Sequence, residues 1–286
     1  MALRETIDIA TRPLSDVLGA EIQGIDLSRP MDDATFGAIH QAFLDHALIL
    51  FRGQHITPEQ HIAFSRRFGG LAVHVFDQFL LPGHPEVLRL SNKRKNGELI
   101  GLADAGKYWH SDLAYMKQPS LGSILYALKI PPEGGDTLFT NMTRAYDTLP
   151  ADMKKKLEGL GAINRVAEGR RTSADGRIRM SKAQLAKTPD VVHPVIRTHP
   201  ETGRKSLYVS QSHTDRIVGM DEEEGRALIS ELVAHATRPD NVYAHEWRPY
   251  DILMWDNRCT MHRVAPYDRR RRRYLHRTTI EGDTPR

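Results

Sequence analysis

The sequence predicts a mainly β fold with flanking helices. Three observations carry that expectation: alternating apolar stretches recur along the chain, helical periods gather near the N-terminus, and strands dominate the second half without regularly interposed helices. The third disfavours a parallel, doubly wound sheet, which needs a helix after almost every strand, and favours a β-sandwich or jelly roll. The 286 residues hold no internal repeat and no Gly-, Ser- or Pro-rich linker, so residues 1–286 are expected to form one domain.

Residues 13–27 begin the fold in a hairpin-like manner, with Leu18-Gly19-Ala20-Glu21-Ile22-Gln23-Gly24-Ile25 alternating around its glycines. A helix follows, capped by Asp32 or Asp33, because Phe36, Ile39, His40, Phe43, Leu44 and Ala47 recur at spacings of three and four and share a face. Leu48–Phe51 is apolar throughout, as a strand buried on both faces would be. Thr57-Pro58-Glu59-Gln60 then opens a second helix: Thr57 caps, proline takes the first helical position and Gln60 completes a capping box. That helix is expected to end near Gly69. Over residues 123–130, Ile124, Tyr126, Leu128 and Ile130 alternate with Leu125, Ala127 and Lys129, a strand period closed by Pro131-Pro132 and Gly134-Gly135. Residues 153–160 and Glu222–Ala236 carry helical periods, and residues 206–210 and 251–255 carry strand patterns. Residues 165–187 are polar, basic and punctuated by glycine without a firm period, and are expected to form a mobile flap.

Charge excludes little by itself. Lys and Arg number 40 against 36 Asp and Glu, a net +4, and much of the excess sits in one run of five arginines from Arg269 to Arg273. Neither zinc-finger spacing nor an RNP-like aromatic motif accompanies the run, so a nucleic-acid partner is not expected. A polyanion patch is the alternative reading, and a further one turns two of these arginines inward to grip a carboxylate. The single cysteine, Cys259, cannot form an internal disulfide, the N-terminal residues hold no signal-like apolar run, and no stretch approaches the roughly 20 apolar residues of a membrane helix. A cytoplasmic protein without a membrane partner is expected.

Neither a phosphate-binding P-loop nor a dinucleotide fingerprint occurs. Cys259 follows a strand pattern, as a buried structural thiol can. Histidine stands out, at 14 residues. In His110-Ser111-Asp112 the imidazole and carboxylate are two apart, so on an extended chain both project to one side and can grip one ion. His213-Thr214-Asp215 has the same spacing, so spacing alone does not select the site. Context separates them. Trp109 precedes His110, and the glycine-rich turn after residue 130 delivers the Thr137 hydroxyl to the start of a strand. His262 follows Trp255 by seven residues, and Arg273 and Arg277 stand four apart. Two histidines, a carboxylate and a downstream arginine describe a ferrous site of the facial two-histidine, one-carboxylate type with an acid co-substrate.

Trp109-His110-Ser111-Asp112, Pro132-Glu133-Gly134-Gly135-Asp136-Thr137, Trp255-Asp256-Asn257-Arg258 leading to His262, and Arg273 with Arg277 resemble the TauD/TfdA family of Fe(II)- and 2-oxoglutarate-dependent dioxygenases, typified by taurine and 2,4-dichlorophenoxyacetate dioxygenases. The resemblance extends to Gly19-Ala20-Glu21-Ile22, Phe51-Arg52-Gly53-Gln54, Arg67-Phe68-Gly69 and Arg197-Thr198-His199-Pro200, so it spans nearly the whole chain. It implies a double-stranded β-helix, the cupin-like jelly roll. It also implies that His110, Asp112 and His262 bind Fe(II), that Thr137 and Arg273 hold the distal carboxylate of 2-oxoglutarate, and that O2 is the third reactant. Because Asp112 is present, hydroxylation rather than halogenation is implied, and His213-Thr214-Asp215 becomes bystander scaffold. His74 and Arg277 fall where taurine-type members bind the substrate anion, which implies a small organic anion, either an aryloxyalkanoate-like carboxylate or an alkylsulfonate. Ala105-Gly106-Lys107-Tyr108 lacks the asparagine that assists amine recognition in taurine dioxygenase, while Leu90-Ser91-Asn92, Cys259 and Tyr267-Asp268 look closer to the phenoxyacetate branch. A same-family oxygenase acting on an amino acid is the alternative substrate reading, with choice residing in the loops 93–107 and 165–187. The resemblance also implies a homodimer or tetramer.

Overall fold

Asp32 and Thr57 open the two N-terminal helices. In the computed structural model of the chain, which describes residues 9–173 and 177–286, the first helix spans Asp33–His46 and the Asp32 carboxylate accepts the Thr35 N–H at 2.7 Å. The second spans Pro58–Arg66 behind a complete capping box, in which Thr57 and Gln60 exchange hydrogen bonds at 2.8 and 3.3 Å. It stops at Arg66 rather than near Gly69, because the N–H groups of Arg67 and Phe68 tighten onto the Phe64 and Ser65 carbonyls.

Both helices cover one face of an eight-stranded sheet. Its spatial order is Thr11–Pro13, Ala20–Ile22, Leu48–Phe51, Ile252–Asp256, Gly122–Lys129, Tyr274–Ile280, His84–Ser91 and Leu80–Leu81. Ala20–Ile22 and Leu48–Phe51 run parallel, and the other neighbouring pairs are antiparallel. The period of two sorts side chains onto two buried faces. Ile49, Phe51, Ile124, Tyr126, Ile252 and Met254 pack outward against Ile39, Phe43 and Phe64 of the helices. Leu48, Leu50, Leu125, Ala127, Leu253, Trp255 and Leu275 point inward, where they meet Phe139. Phe139 belongs to a three-stranded antiparallel sheet ordered Val242–His245, Thr137–Asn141, Thr260–Val264. The opposite side of that sheet, through Met261, packs on Met142, Ala145 and the helix Glu222–Ala236. The inner core between the two sheets is where the candidate site lies.

Several expectations are corrected in detail. The strand foreseen over residues 206–210 is Lys205–Leu207, and the helix foreseen over 153–160 is Ala151–Leu157. The foreseen flap contains the short helices Glu168–Thr172 and Lys182–Ala186, and its residues 174–176 lie outside the described residues. Of the arginine run only Arg273 is buried, not two, since Arg269 to Arg272 are solvent-facing in a turn. Among the described residues no helix is long and apolar enough to cross a membrane.

Two outcomes are expected. Leu50 is fully buried between the sheets, so Leu50→Ala should cost about 2–5 kcal/mol in urea unfolding. His61 on the outer face is fully buried, with one ring nitrogen lacking a hydrogen-bond partner among the described residues, and burial, with His276 adding, pushes its pKa down to about 3. An unfolded histidine titrates near 6.5, so protons favour the unfolded chain between the two values. Stability is therefore retained above about pH 6.5 and lost as pH falls toward 3, and His61→Gln should make that acid limb shallower in unfolding curves measured across pH.

Candidate active site

His262 lies in the strand Thr260–Val264 opposite Phe139, so strand parity turns it inward. His110 was expected in an extended strand. It makes instead a single antiparallel bridge with His262, each backbone N–H donating to the other's carbonyl at 3.1 and 2.8 Å, after which the chain turns. Asp112 sits in that turn, followed by Leu113 in the left-handed region at φ 57°. The bridge sets the two imidazoles 4.2 Å apart between centroids, and one ligand atom from each of His110, Asp112 and His262 lies within 4.8 Å of the others. The two carboxylate oxygens of Asp112 stand 3.8 Å from Nε2 of His110 and of His262 respectively. His110 Nδ1 is 2.9 Å from the Tyr108 carbonyl, so it carries the hydrogen and Nε2 keeps its lone pair toward the centre. Phe139 and Trp255 wall the His262 ring at 5.8 and 4.6 Å.

The carboxylate is fixed from three sides. Ser123 Oγ donates to one oxygen and Arg277 to the other, both at 2.7 Å, and Asn257 Oδ1 accepts the Asp112 backbone N–H at 3.1 Å. Asn257 is itself held, accepting from Trp255 Nε1 at 3.0 Å and donating to Ser120 Oγ at 3.2 Å. Burial acts to raise the Asp112 pKa, but Arg277, His262 and His110 together keep it well below the usual carboxylate range. Burial in turn lowers both imidazoles, so the three groups stand deprotonated, as metal ligands must be.

Arg273 leads into the adjacent strand. Asn92 braces its loop, accepting the Arg273 N–H at 2.9 Å while donating to the Arg269 and Arg271 carbonyls at 3.0 and 2.7 Å. The guanidinium is buried, its Nε has no partner among the described residues, and its one protein hydrogen bond there is a long 3.5 Å contact to the Gly135 carbonyl. Burial, with Arg269 adding, pulls its pKa down to about 10 against the opposing influence of Tyr267 and Asp136. The neighbouring turn needs glycine: at Gly134, with φ +69°, a Cβ would sit 2.7 Å from the Pro266 carbonyl. Thr137 starts the next strand and its hydroxyl oxygen accepts Trp247 Nε1–H at 2.9 Å. Arg273 lines a cavity of about 380 Å³ with Leu90, Leu102, Lys107 and Tyr267.

A second cavity, of about 70 Å³, is lined by His110, Asp112, His74, Arg277 and His213, with Phe76, Leu102, Leu113, Tyr115 and Met180 as apolar wall. His74 and Arg277 are thus brought beside the candidate triad. His74 Nδ1 accepts the Phe76 N–H at 3.1 Å, which leaves an Nε2–H donor, and burial pushes its pKa down to about 3. The foreseen loops do enclose this cavity: Arg170 donates to Asp104 at 2.8 Å, and Asp104 also accepts the Ile178 N–H. His213 lies close by, its ring 6.1 Å from His110 and 5.0 Å from Tyr115, but it is not among the residues whose ligand atoms cluster with those of His110. Asp215 does turn away, toward Arg165. Sequence reasoning missed Ser123, Asn257, Asn92 and His213. Ser123 was within reach, since it shares parity with the inward-facing Leu125 and Ala127.

The cluster His199, Asp256 and Cys259 offers metal-ligand atoms of the same types. It is already saturated: His199 Nδ1 accepts two backbone N–H groups, Nε2 donates to Asp256, and Arg258 takes the rest of that carboxylate. Cys259 is buried, and burial raises its thiol pKa well above the usual value, consistent with a structural thiol.

Comparison with known proteins meets this geometry from outside. A family model described as "Taurine catabolism dioxygenase TauD, TfdA family" matches residues 10–279. The chain belongs to this family. Membership makes it a 2-oxoglutarate-dependent dioxygenase. It is 35% identical to the alpha-ketoglutarate-dependent 2,4-dichlorophenoxyacetate dioxygenase of Cupriavidus pinatubonensis, over 97% of this chain and 99% of that protein. It is likewise 35% identical to the (S)-phenoxypropionate/alpha-ketoglutarate-dioxygenase of Sphingobium herbicidovorans, over 96% and 95%. Among solved structures it superposes on AAD-2 in complex with Mn(II) and N-oxalylglycine with a TM-score of 0.82 and 32% identity, covering 98% of this chain and 99% of that one. A taurine dioxygenase from Burkholderia xenovorans gives 0.81 and 35%, covering 97% and 90%.

Ser123→Ala and Asn257→Ala leave the three candidate ligands in place but free the carboxylate. Each should weaken Mn(II) or Fe(II) binding by about 10–100-fold in calorimetric titration.

Proposed function

We propose that this dioxygenase uses Fe(II), 2-oxoglutarate and O2 to hydroxylate a small organic anion with an apolar body, an aryloxyalkanoate-like carboxylate or an alkylsulfonate. In this reading His110, Asp112 and His262 are the metal ligands, Thr137 and Arg273 take the distal carboxylate of 2-oxoglutarate, and His74 with Arg277 takes the substrate anion. One observation carries it: a largely buried set of two imidazoles and a carboxylate stands in the same inner core as a buried guanidinium that has no ion-paired carboxylate among the described residues. The donor set fits a facial iron site, and the uncompensated Arg273 fits an acid co-substrate. When bound, the iron and 2-oxoglutarate activate O2 to convert a substrate C–H into C–OH, with succinate and CO2 released.

The chain's own groups supply position. Arg277 spends one N–H on Asp112 and leaves its Nε without a partner among the described residues, while His74 offers Nε2–H into the same cavity. Phe76, Leu102, Leu113 and Met180 provide apolar wall for the body of such an anion. Relatives named for dichlorophenoxyacetate and phenoxypropionate support the aryloxyalkanoate side of the proposal. Hydroxylation beside an ether oxygen or a sulfonate sulfur gives a product that fragments. The segments around Asp104 and Arg170 exclude water by meeting over the cavity. The two facing, largely antiparallel sheets support the finer fold reading, a single double-stranded β-helix domain.

An anaerobic titration of the Fe(II) protein with 2-oxoglutarate should give a visible charge-transfer band that His110→Ala abolishes. Arg273→Ala should cost about 2–5 kcal/mol of 2-oxoglutarate binding. A succinate-formation screen of aryloxyalkanoates and alkylsulfonates identifies the substrate class, and failure of every member sinks the substrate proposal.

A further inference from the structure

We propose that Trp247 is a positioning residue for 2-oxoglutarate, its indole N–H fixing the rotation of the Thr137 hydroxyl so that the hydroxyl hydrogen is offered to the co-substrate's distal carboxylate. This rests on the reading of Thr137 and Arg273 given above. An indole nitrogen can only donate, and Trp247 Nε1 donates to Thr137 Oγ1 at 2.9 Å with both side chains buried. The oxygen therefore spends a lone pair on the indole, and its own hydrogen turns elsewhere. No acceptor for that hydrogen is found among the described residues, although Thr137 is 1% exposed. A buried donor without an acceptor is costly, and a carboxylate, which only accepts, is its complement. A hydroxyl free to rotate would present a lone pair to the same carboxylate part of the time.

The fold locks the donor. Thr137 pairs across the sheet with His245, and the chain then carries Trp247 back over the start of the Thr137 strand. His245 is fully buried and meets the indole at 4.5 Å with the rings perpendicular, which fixes the plane in which the N–H points. Its Nδ1 lies 3.2 Å from the Tyr243 hydroxyl, so the supporting ring is itself held. On the other side, the Arg273 guanidinium reaches the Gly135 carbonyl in the turn that leads into Thr137. The guanidinium thus contacts the chain two residues before the oriented hydroxyl.

The test uses full-length protein loaded with redox-inert Mn(II), so that no turnover is needed. Calorimetry compares 2-oxoglutarate with 2-oxopentanoate, a 2-oxo acid of the same chain length lacking the distal carboxylate. Trp247→Phe removes the N–H, and site-specific replacement of Trp247 by 3-benzothienylalanine removes it while keeping the bicyclic shape, which covers a folding failure of the first variant. Each should weaken 2-oxoglutarate on the order of tenfold, leave 2-oxopentanoate unchanged, and match Thr137→Val. Thr137→Ser should retain wild-type affinity, and Thr137→Val with Trp247→Phe should bind no more weakly than Thr137→Val alone. Undiminished 2-oxoglutarate affinity in the benzothienyl protein, equal losses for both 2-oxo acids, or multiplying losses in the double variant overturn the proposal. Failure of the wild type itself to bind 2-oxoglutarate overturns the underlying reading instead.

Discussion

A carboxylate can be buried in a protein core when its charge is met on every side, and Asp112 is the point at which this fold meets that condition. The contacts come from separate parts of the chain: Ser123 from the strand Gly122–Lys129, Arg277 from Tyr274–Ile280, Asn257 from the turn after Ile252–Asp256 and His262 from the facing sheet. The large sheet, the small sheet and the turn bearing Asp112 are thereby tied at one place. Low dielectric around the site makes each bond stronger and each missing partner more costly.

What the sequence makes legible here is local. Helix caps at Asp32 and Thr57, the apolar block Leu48–Phe51 and the two-faced strand after residue 121 are decided by nearest neighbours, and they stand where periodicity puts them. The candidate triad is legible for a different reason, through ordered motifs resembling a known family. Pairing order is not local: the strand Gly122–Lys129 lies between Ile252–Asp256 and Tyr274–Ile280, and nothing within a short window announces partners so distant. His213 shows the same limit. Its spacing to Asp215 is that of the metal pair, but its place beside Tyr115 follows from how the strand Thr214–Ile217 docks on Gly161–Asn164. The arginine run misled in the opposite way, because five like charges look equivalent until Asn92 and the next strand select Arg273 for burial.

The two cavities share Leu102, Ala105, Lys107 and Arg177 as lining. A change on one side of that partition is therefore felt on the other, which on the proposed reading gives co-substrate and substrate a physical route to influence each other's binding. The Asp104–Arg170 pair fastens the same segment to the helix Glu168–Thr172, so closure over the triad and the shape of the partition are set together.

The bridge between His110 and His262 joins backbone to backbone, each residue giving and receiving one hydrogen bond with the other. The two imidazoles are consequently not independent ligands that an ion must gather. On the proposed reading they act as one bidentate chelator assembled during folding, whose bite is set by the spacing of paired strands. Most of the entropy of bringing two rings together is lost before any ion arrives, so ion capture is left to order little more than the ion's own shell of water.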